Sequence, residues 1–132
     1  KEGCAEGDCG ACTILIGEVH DQGLRYLPTN ACIVLLGMVD NKQVLTVEHL
    51  GREKIHPVQQ AMADQHGSQC GFCTPGFVMS LAGLQWAASC KNESTPVDRA
   101  QIDEYLAGNL CRCTGYHNIV KAVQAAAAEM GG

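Results

Sequence analysis

A chain of 132 residues has room for one ordinary domain or two small ones. Its net charge of −5, with no cluster of Lys and Arg, argues against a nucleic-acid partner, because phosphate binding needs grouped basic side chains. Its longest apolar run, Ala31 to Val39, contains a glycine and falls far short of the roughly 20 residues that cross a bilayer as a helix, so no membrane span is expected.

The first third reads as loop and strand. A glycine-rich loop from Gly3 to Gly10 leads into a short apolar strand, Thr13 to Ile16. Gly17 to Gly23 reads as a hairpin connection, Leu24 to Leu27 and Ala31 to Leu36 as strands or buried segments, and Val44 to Val47 as a further strand after the turn at Asp40-Asn41-Lys42. From Ile55 the period becomes helical. His56-Pro57 opens a first helix with Val58, Ala61 and Met62 inward and Gly67 as its stop. Pro75 opens a second, with Phe77, Val78, Leu81, Ala82 and Leu84 on one side. Pro96-Val97-Asp98 starts a third, with Asp98 as N-cap, Ile102, Tyr105 and Leu106 following, and Gly108 near its end. A fourth runs from about Asn118 to Met130 with Ile119, Val120, Val123 and Ala127 inward. These stripes are core packing and predict a small helical bundle.

Aromatics make up only 5% of the chain, and a small core with few of them needs another source of stability. Nine cysteines suggest one: disulfides if the protein is secreted, metal ligands if it is cytosolic. No signal peptide is visible, and a cytoplasmic location is expected. The odd count fits eight ligands and one bystander, Cys90, read as a plain thiol. Asn92-Glu93-Ser94 matches a glycosylation sequon of the kind common by chance.

Cys4, Cys9 and Cys12 are spaced C-x4-C-x2-C, with Cys32 downstream, the spacing of plant-type [2Fe–2S] sites. Two irons bridged by two sulfides take two thiolates each, so the loop must wrap closely, and Gly3, Gly7 and Gly10 let backbone N–H groups approach the sulfurs. Glu6 and Asp8 in this loop would disfavour added electron density and lower the potential. The second set, Cys70, Cys73, Cys111 and Cys113, is C-x2-C, a long gap, then C-x-C, a pattern that also suits zinc. Each cysteine pair here precedes a threonine and a helix start, a weak internal repeat. Two helical hairpins related by a pseudo-twofold axis would bring the four thiolates together near two helix N-termini, where an anionic site is favoured. The five histidines show no ligand spacing, and none is assigned as ligand or base.

Lys1 to Thr13, reading Lys1-Glu2-Gly3-Cys4-Ala5-Glu6-Gly7-Asp8-Cys9-Gly10-Ala11-Cys12-Thr13, resembles the ferredoxin-type loop of the xanthine oxidase (molybdenum hydroxylase) family. Gly67-Ser68-Gln69-Cys70-Gly71-Phe72-Cys73-Thr74-Pro75-Gly76-Phe77 and Gly108-Asn109-Leu110-Cys111-Arg112-Cys113-Thr114-Gly115-Tyr116 are similar to that family's second cluster motif. The resemblance implies an α+β chain: a β-grasp ferredoxin-like [2Fe–2S] domain over residues 1–50, then a four-helix bundle holding a second [2Fe–2S] cluster over residues 51–132. It implies an electron relay in which a molybdopterin centre on a large-subunit partner oxidises the substrate. Electrons then enter this chain at the second cluster, leave by the first, and pass to FAD on a further subunit or domain. It also implies that Gln69 and Cys113 lie against the pterin, with Cys113 an iron ligand as well, and that the chain itself holds no substrate site.

Within the family, the opening loop is most similar to bacterial xanthine dehydrogenases and the end of the chain to members with a separate iron–sulfur subunit. Small subunits of aldehyde, carbon monoxide and N-heterocycle oxidoreductases are alternatives, as are a free-standing ferredoxin and a structural zinc-binding interaction module. The family's ferredoxin domain begins with strands and a helix ahead of the first cluster loop. This sequence starts almost on its first cysteine, so an N-terminally incomplete domain with an open sheet edge is expected.

Overall fold

The computed structural model describes residues 1–21, 23–90 and 98–130; the sequon at Asn92, the Pro96-Val97 helix start and the Cys90 side chain lie outside what is described. The sheet has three antiparallel strands, β1 (Thr13–His20), β2 (Gly23–Asn30) and β3 (Gln43–Leu45), in the order β2-β1-β3. The register sets Thr13 opposite Asn30, His20 opposite Gly23 and Leu15 opposite Leu45. The hairpin is longer than the sequence suggests: β1 continues through Gly17, where the Tyr26 ring occupies the space a side chain would need.

Five helices follow: α1 (Val47–Leu50), α2 (Pro57–Asp64), α3 (Thr74–Cys90), α4 (Arg99–Leu106) and α5 (His117–Met130). α2 and α4 begin with capping boxes. The His56 side chain accepts from Val58 N while the Gln59 side chain returns to His56 N, and Asp98 pairs in the same way with Gln101. Asp98 is thus the N-cap expected of it.

Two expectations are corrected. Ala31 to Leu36 is not extended but forms two short 3-10 turns, Ala31–Ile33 and Leu36–Val39, with Ile33, Leu35, Leu36 and Met38 exposed. The chain turns there because Ala31 N is bonded back to Cys12 O (3.3 Å), which carries Cys32 toward Cys12. The strand at Val44 ends at Leu45, and Val47 opens α1 behind the Thr46 N-cap.

α3 organises the molecule. It packs on β1 and β2 on one side and on α2 and α4 on others, while α2 also packs on α5. Its middle, residues 76–85, is therefore buried all round instead of along the single stripe the period suggests, with Met79 and Ser80 also inside. Leu15 and Leu45 from the sheet, Val58 and Met62 from α2, Phe77 from α3, Ile102 from α4 and Ile119 and Val123 from α5 share one continuous core. Tyr26 of β2 stacks on Trp86 of α3 with ring centroids 4.6 Å apart. In α5, Ala126 is fully buried and Ala127 only half-buried, one position off the expected stripe. Among the described residues, no helix is long and apolar enough to cross a membrane.

Candidate metal centres

The first cysteine set is built from the loop before β1 and the turn after β2. The loop closes on itself through the Gly10 carbonyl, which accepts from Thr13 N (3.1 Å) and Thr13 Oγ1 (2.7 Å). Asn30 at the end of β2 donates from Nδ2 to the Gly7 carbonyl, tying the turn that carries Cys32 to the loop that carries the other three. Backbone N–H groups reach the sulfurs: Cys9 N lies 3.4 Å from Cys4 Sγ, and Cys32 N lies 3.4 Å from Cys12 Sγ. The Glu6 and Cys9 N–H groups draw the Cys4 thiol down to about 7, toward the thiolate a metal requires. The Cys12 side chain beside Cys32 pushes that thiol up, with burial adding to the effect. The contacts pair Cys4 with Cys9 and Cys12 with Cys32.

The second set is built from the loops that open α3 and α5. Cys73 caps α3, its carbonyl accepting from Phe77 N (3.2 Å), and Tyr116 caps α5, its carbonyl accepting from Val120 N (2.9 Å). The two loops meet as the internal repeat suggests: Cys70 faces Cys113, and Cys73 faces Cys111. The Phe72 N–H and then the Cys113 thiol lower the Cys70 thiol, while Cys70 in turn raises Cys113. Burial pushes Cys73 up to about 11. Burial also acts to raise Cys111, but hydrogen bonds from the Thr114 hydroxyl, at 3.1 Å, and nearby N–H groups outweigh it and leave that thiol lowered. Tyr116 accepts from Cys111 N at 2.9 Å through its hydroxyl, fixing the second pair from below.

All eight of these cysteines are free thiols. Among the described residues, no three His, Cys, Asp or Glu side chains gather round a point as a single metal ion would need. The thiols meet two by two. Gln69 and Cys113 are both exposed, on the rim of the second set.

The two sets are clamped together, a feature that the motifs alone do not reveal. Leu110 N donates to Cys9 O at 3.0 Å, and the buried Asn109 donates from Nδ2 to Gly10 O at 3.1 Å. Gly10 has φ +69°, and a Cβ there would strike Gly108 O and Asn109 Nδ2; a Cβ on Gly76 would strike Gly10 O. Phe72, between two cysteines of the second set, lies against Gly3 of the first loop, and the Lys1 ammonium sits 5.6 Å from its ring centre. Asn109 and Gly76 stand inside the recognised motifs, but nothing in their spacing marks them as partners of Gly10.

Residues 46–124 match the family described as [2Fe-2S] binding domain. The chain is 47% identical over 126 residues to xanthine dehydrogenase 1 of Arabidopsis thaliana and 46% identical over 134 residues to xanthine dehydrogenase of Emericella nidulans, covering 92% and 99% of this chain. It is 45% identical over 126 residues to aldehyde oxidase 1 of Bos taurus, again over 92% of this chain. It spans about 9% of the length of each of these relatives. Among solved structures, quinoline 2-oxidoreductase from Pseudomonas putida 86 superimposes with TM-score 0.78 at 35% identity, covering 99% of this chain and 74% of that one. Aldehyde oxidoreductase from Desulfovibrio gigas superimposes with TM-score 0.81 at 37% identity, over 100% of this chain and 14% of that one.

Proposed function

The chain belongs to the [2Fe–2S] binding domain family, as the iron–sulfur portion of molybdenum hydroxylases of the xanthine dehydrogenase and aldehyde oxidase kind, and on that premise we propose that it carries two [2Fe–2S] clusters and relays electrons between them. Cys4, Cys9, Cys12 and Cys32 hold the first cluster, in a ferredoxin-like β-grasp unit of residues 1–50. Cys70, Cys73, Cys111 and Cys113 hold the second, in a four-helix-bundle unit of residues 51–132. The observation that carries the reading is the closing of the C-x4-C-x2-C loop onto Cys32, with Cys9 N 3.4 Å from Cys4 Sγ and Cys32 N 3.4 Å from Cys12 Sγ, beside a second cysteine set gathered at the starts of α3 and α5.

The bound clusters supply one-electron redox chemistry. The chain's own residues supply the rest. Backbone N–H groups of Glu6, Cys9, Gly7 and Phe72 favour anionic sulfur, and the Thr114 hydroxyl does the same at Cys111. The exposed rim at Gln69 and Cys113 faces a molybdopterin-bearing partner, with the pterin against these two residues. Clusters held by the two cysteine sets would supply one-electron transfer, with the Gln69–Cys113 rim as the side where electrons would be received and the Cys4–Cys32 set as the side from which they would pass toward FAD on a further subunit or domain. The substrate class is that of a xanthine dehydrogenase, and the setting is cytoplasmic.

Absorption spectra before and after dithionite, with sulfide and metal analysis, test the reading. The expected result is a coloured protein that bleaches on reduction and releases acid-labile sulfide with its iron. A colourless protein containing zinc and no labile sulfide would overturn it.

A further inference from the structure

We propose that Thr114 sets the reduction potential of the second cysteine site by donating its hydroxyl hydrogen bond to the Cys111 sulfur. The proposal rests on the reading that each cysteine set holds a [2Fe–2S] cluster. Thr114 itself holds no iron; it is a positioning residue that acts through Cys111. Thr114 Oγ1 lies 3.1 Å from Cys111 Sγ, and both residues are half-buried. An iron-bound cysteine sulfur has lost its proton and can only accept, so the hydroxyl is the donor of this pair. Its hydrogen is free for that role because its oxygen already accepts from Tyr116 N at 3.1 Å. Reduction adds one negative charge to a cluster, and a donor aimed at sulfur stabilises the more negative form more. The hydroxyl therefore raises the potential of the site it touches, since hydrogen bonds to sulfur are one of the means by which cluster potentials are set.

The loop is shaped to hold this contact. Gly115 and Tyr116 both have positive φ, +63° and +67°, which turns the Tyr116 N–H back toward the Thr114 hydroxyl. The left-handed region is unfavourable for a bulky side chain, so Tyr116 stays there only because its surroundings hold it. Its hydroxyl accepts from Cys111 N at 2.9 Å and donates to Asn109 O at 3.4 Å, and its ring meets that of Phe77 edge-on with centroids 6.1 Å apart. The bond to the Tyr116 hydroxyl also occupies the Cys111 N–H, so that backbone donor is not available to a sulfur. The other half of the internal repeat differs. Thr74 follows Cys73 as Thr114 follows Cys113, but its hydroxyl pairs with Ser68 Oγ at 2.7 Å. Among the described residues, Thr114 is the one whose hydroxyl reaches a cysteine sulfur. The half-reaction it biases is the gain of one electron by the cluster, with the hydroxyl proton staying on Thr114 and no bond made or broken there.

The test uses the whole enzyme, poised with dithionite and mediator dyes at a series of ambient potentials, with both cluster signals read by EPR. Thr114→Val keeps the shape of the side chain and removes the hydroxyl, whereas Thr114→Ser keeps the hydroxyl. In Thr114→Val one signal is expected to move to lower potential. Its reduced-to-oxidised ratio at a fixed ambient potential should fall about tenfold, which is about 59 mV for a one-electron couple. The other signal and the iron content are expected to stay as in the wild type, and Thr114→Ser is expected to recover most of the shift. A full-iron Thr114→Val enzyme with both midpoints at their wild-type values would overturn the proposal, as would a Thr114→Ser enzyme shifted as far as Thr114→Val. Should Thr114→Val fail to hold its iron, deuterium ENDOR of the reduced wild-type enzyme after brief transfer to heavy water decides the matter. A hydroxyl exchanges faster than a hydrogen-bonded backbone N–H, so a rapidly exchanging deuteron coupled to one signal is expected, and its absence from both would overturn the proposal. A wild-type enzyme showing one cluster or none would instead overturn the two-cluster reading beneath it.

Discussion

The Asn109 side-chain amide donates to the Gly10 carbonyl at 3.1 Å, joining positions 99 residues apart in the chain. That one bond ties the Cys4–Cys12 loop to the approach of the Cys111–Cys113 loop. It turns two motifs that read as separate sites into one interlocked pair. The Gly10 carbonyl also receives Thr13 N and Oγ1, so it is the point through which β1, the first loop and the second loop hold one another.

Gly76→Ala should break this arrangement. The added methyl group would strike Gly10 O, where backbone on both sides leaves little room to yield, and overpacking of this kind costs about 1–3 kcal/mol. Gly108→Ala, where an added Cβ meets nothing within 4 Å, should be close to neutral. Denaturant unfolding of the two variants compares them directly, and equal stabilities would contradict the close approach.

Cys12→Ser should disrupt the first cluster and spare the second. Cys12 pairs with Cys32 inside its own set, whereas the contact with the second loop runs through Cys9 and Gly10. EPR of the reduced variant should keep one of two signals. Loss of both would mean that the interlock makes the two sites fold as one.

Gln69→Ala should slow reduction by the enzyme's substrate more than reduction by dithionite. The side chain is exposed beside Cys70, where the proposed partner's pterin would meet it. Stopped-flow reduction with each reductant separates the cases, and equal slowing would remove Gln69 from the entry point.

His56 should make stability depend on pH. Its Nδ1 accepts from Val58 N at 3.3 Å at the start of α2, and burial holds its pKa below the ordinary imidazole value. The unfolded chain therefore binds the proton more readily, and stability rises with pH. The contribution is complete above the unfolded value of roughly 6.5 and is lost as pH falls through the lowered folded value. His56→Ala should cost about 1 kcal/mol at basic pH, the usual worth of an N-cap, and less in acid. Unfolding curves across that window test it; a parallel loss at every pH would rule out the neutral-ring cap.

Much of this is legible in the sequence. The helical stripes located α2 to α5, because Val58, Met62, Phe77, Ile102 and Ile119 recur at helical spacing and face one core. The internal repeat anticipated that the two cysteine pairs of the second set meet at helix starts. The Ala31 to Leu36 segment misled because an apolar run normally signals burial, yet Leu35 and Leu36 are exposed and the local need is to turn Cys32 toward Cys12. α1 was hidden because Val44 and Val47 favour strands while only Gln43 to Leu45 find a partner. Asn109 carried no local signal at all: its partners, Gly10, Thr13 and Ser80, are distant in sequence, and no period or spacing connects them.

The most direct test of the central claim is EPR spin quantitation on the fully reduced protein, alongside iron and sulfide analysis. Two one-electron signals of equal intensity, with two irons and two sulfides for each, are predicted. A single signal, or iron sufficient for only one cluster while all eight cysteines are intact, would contradict the account.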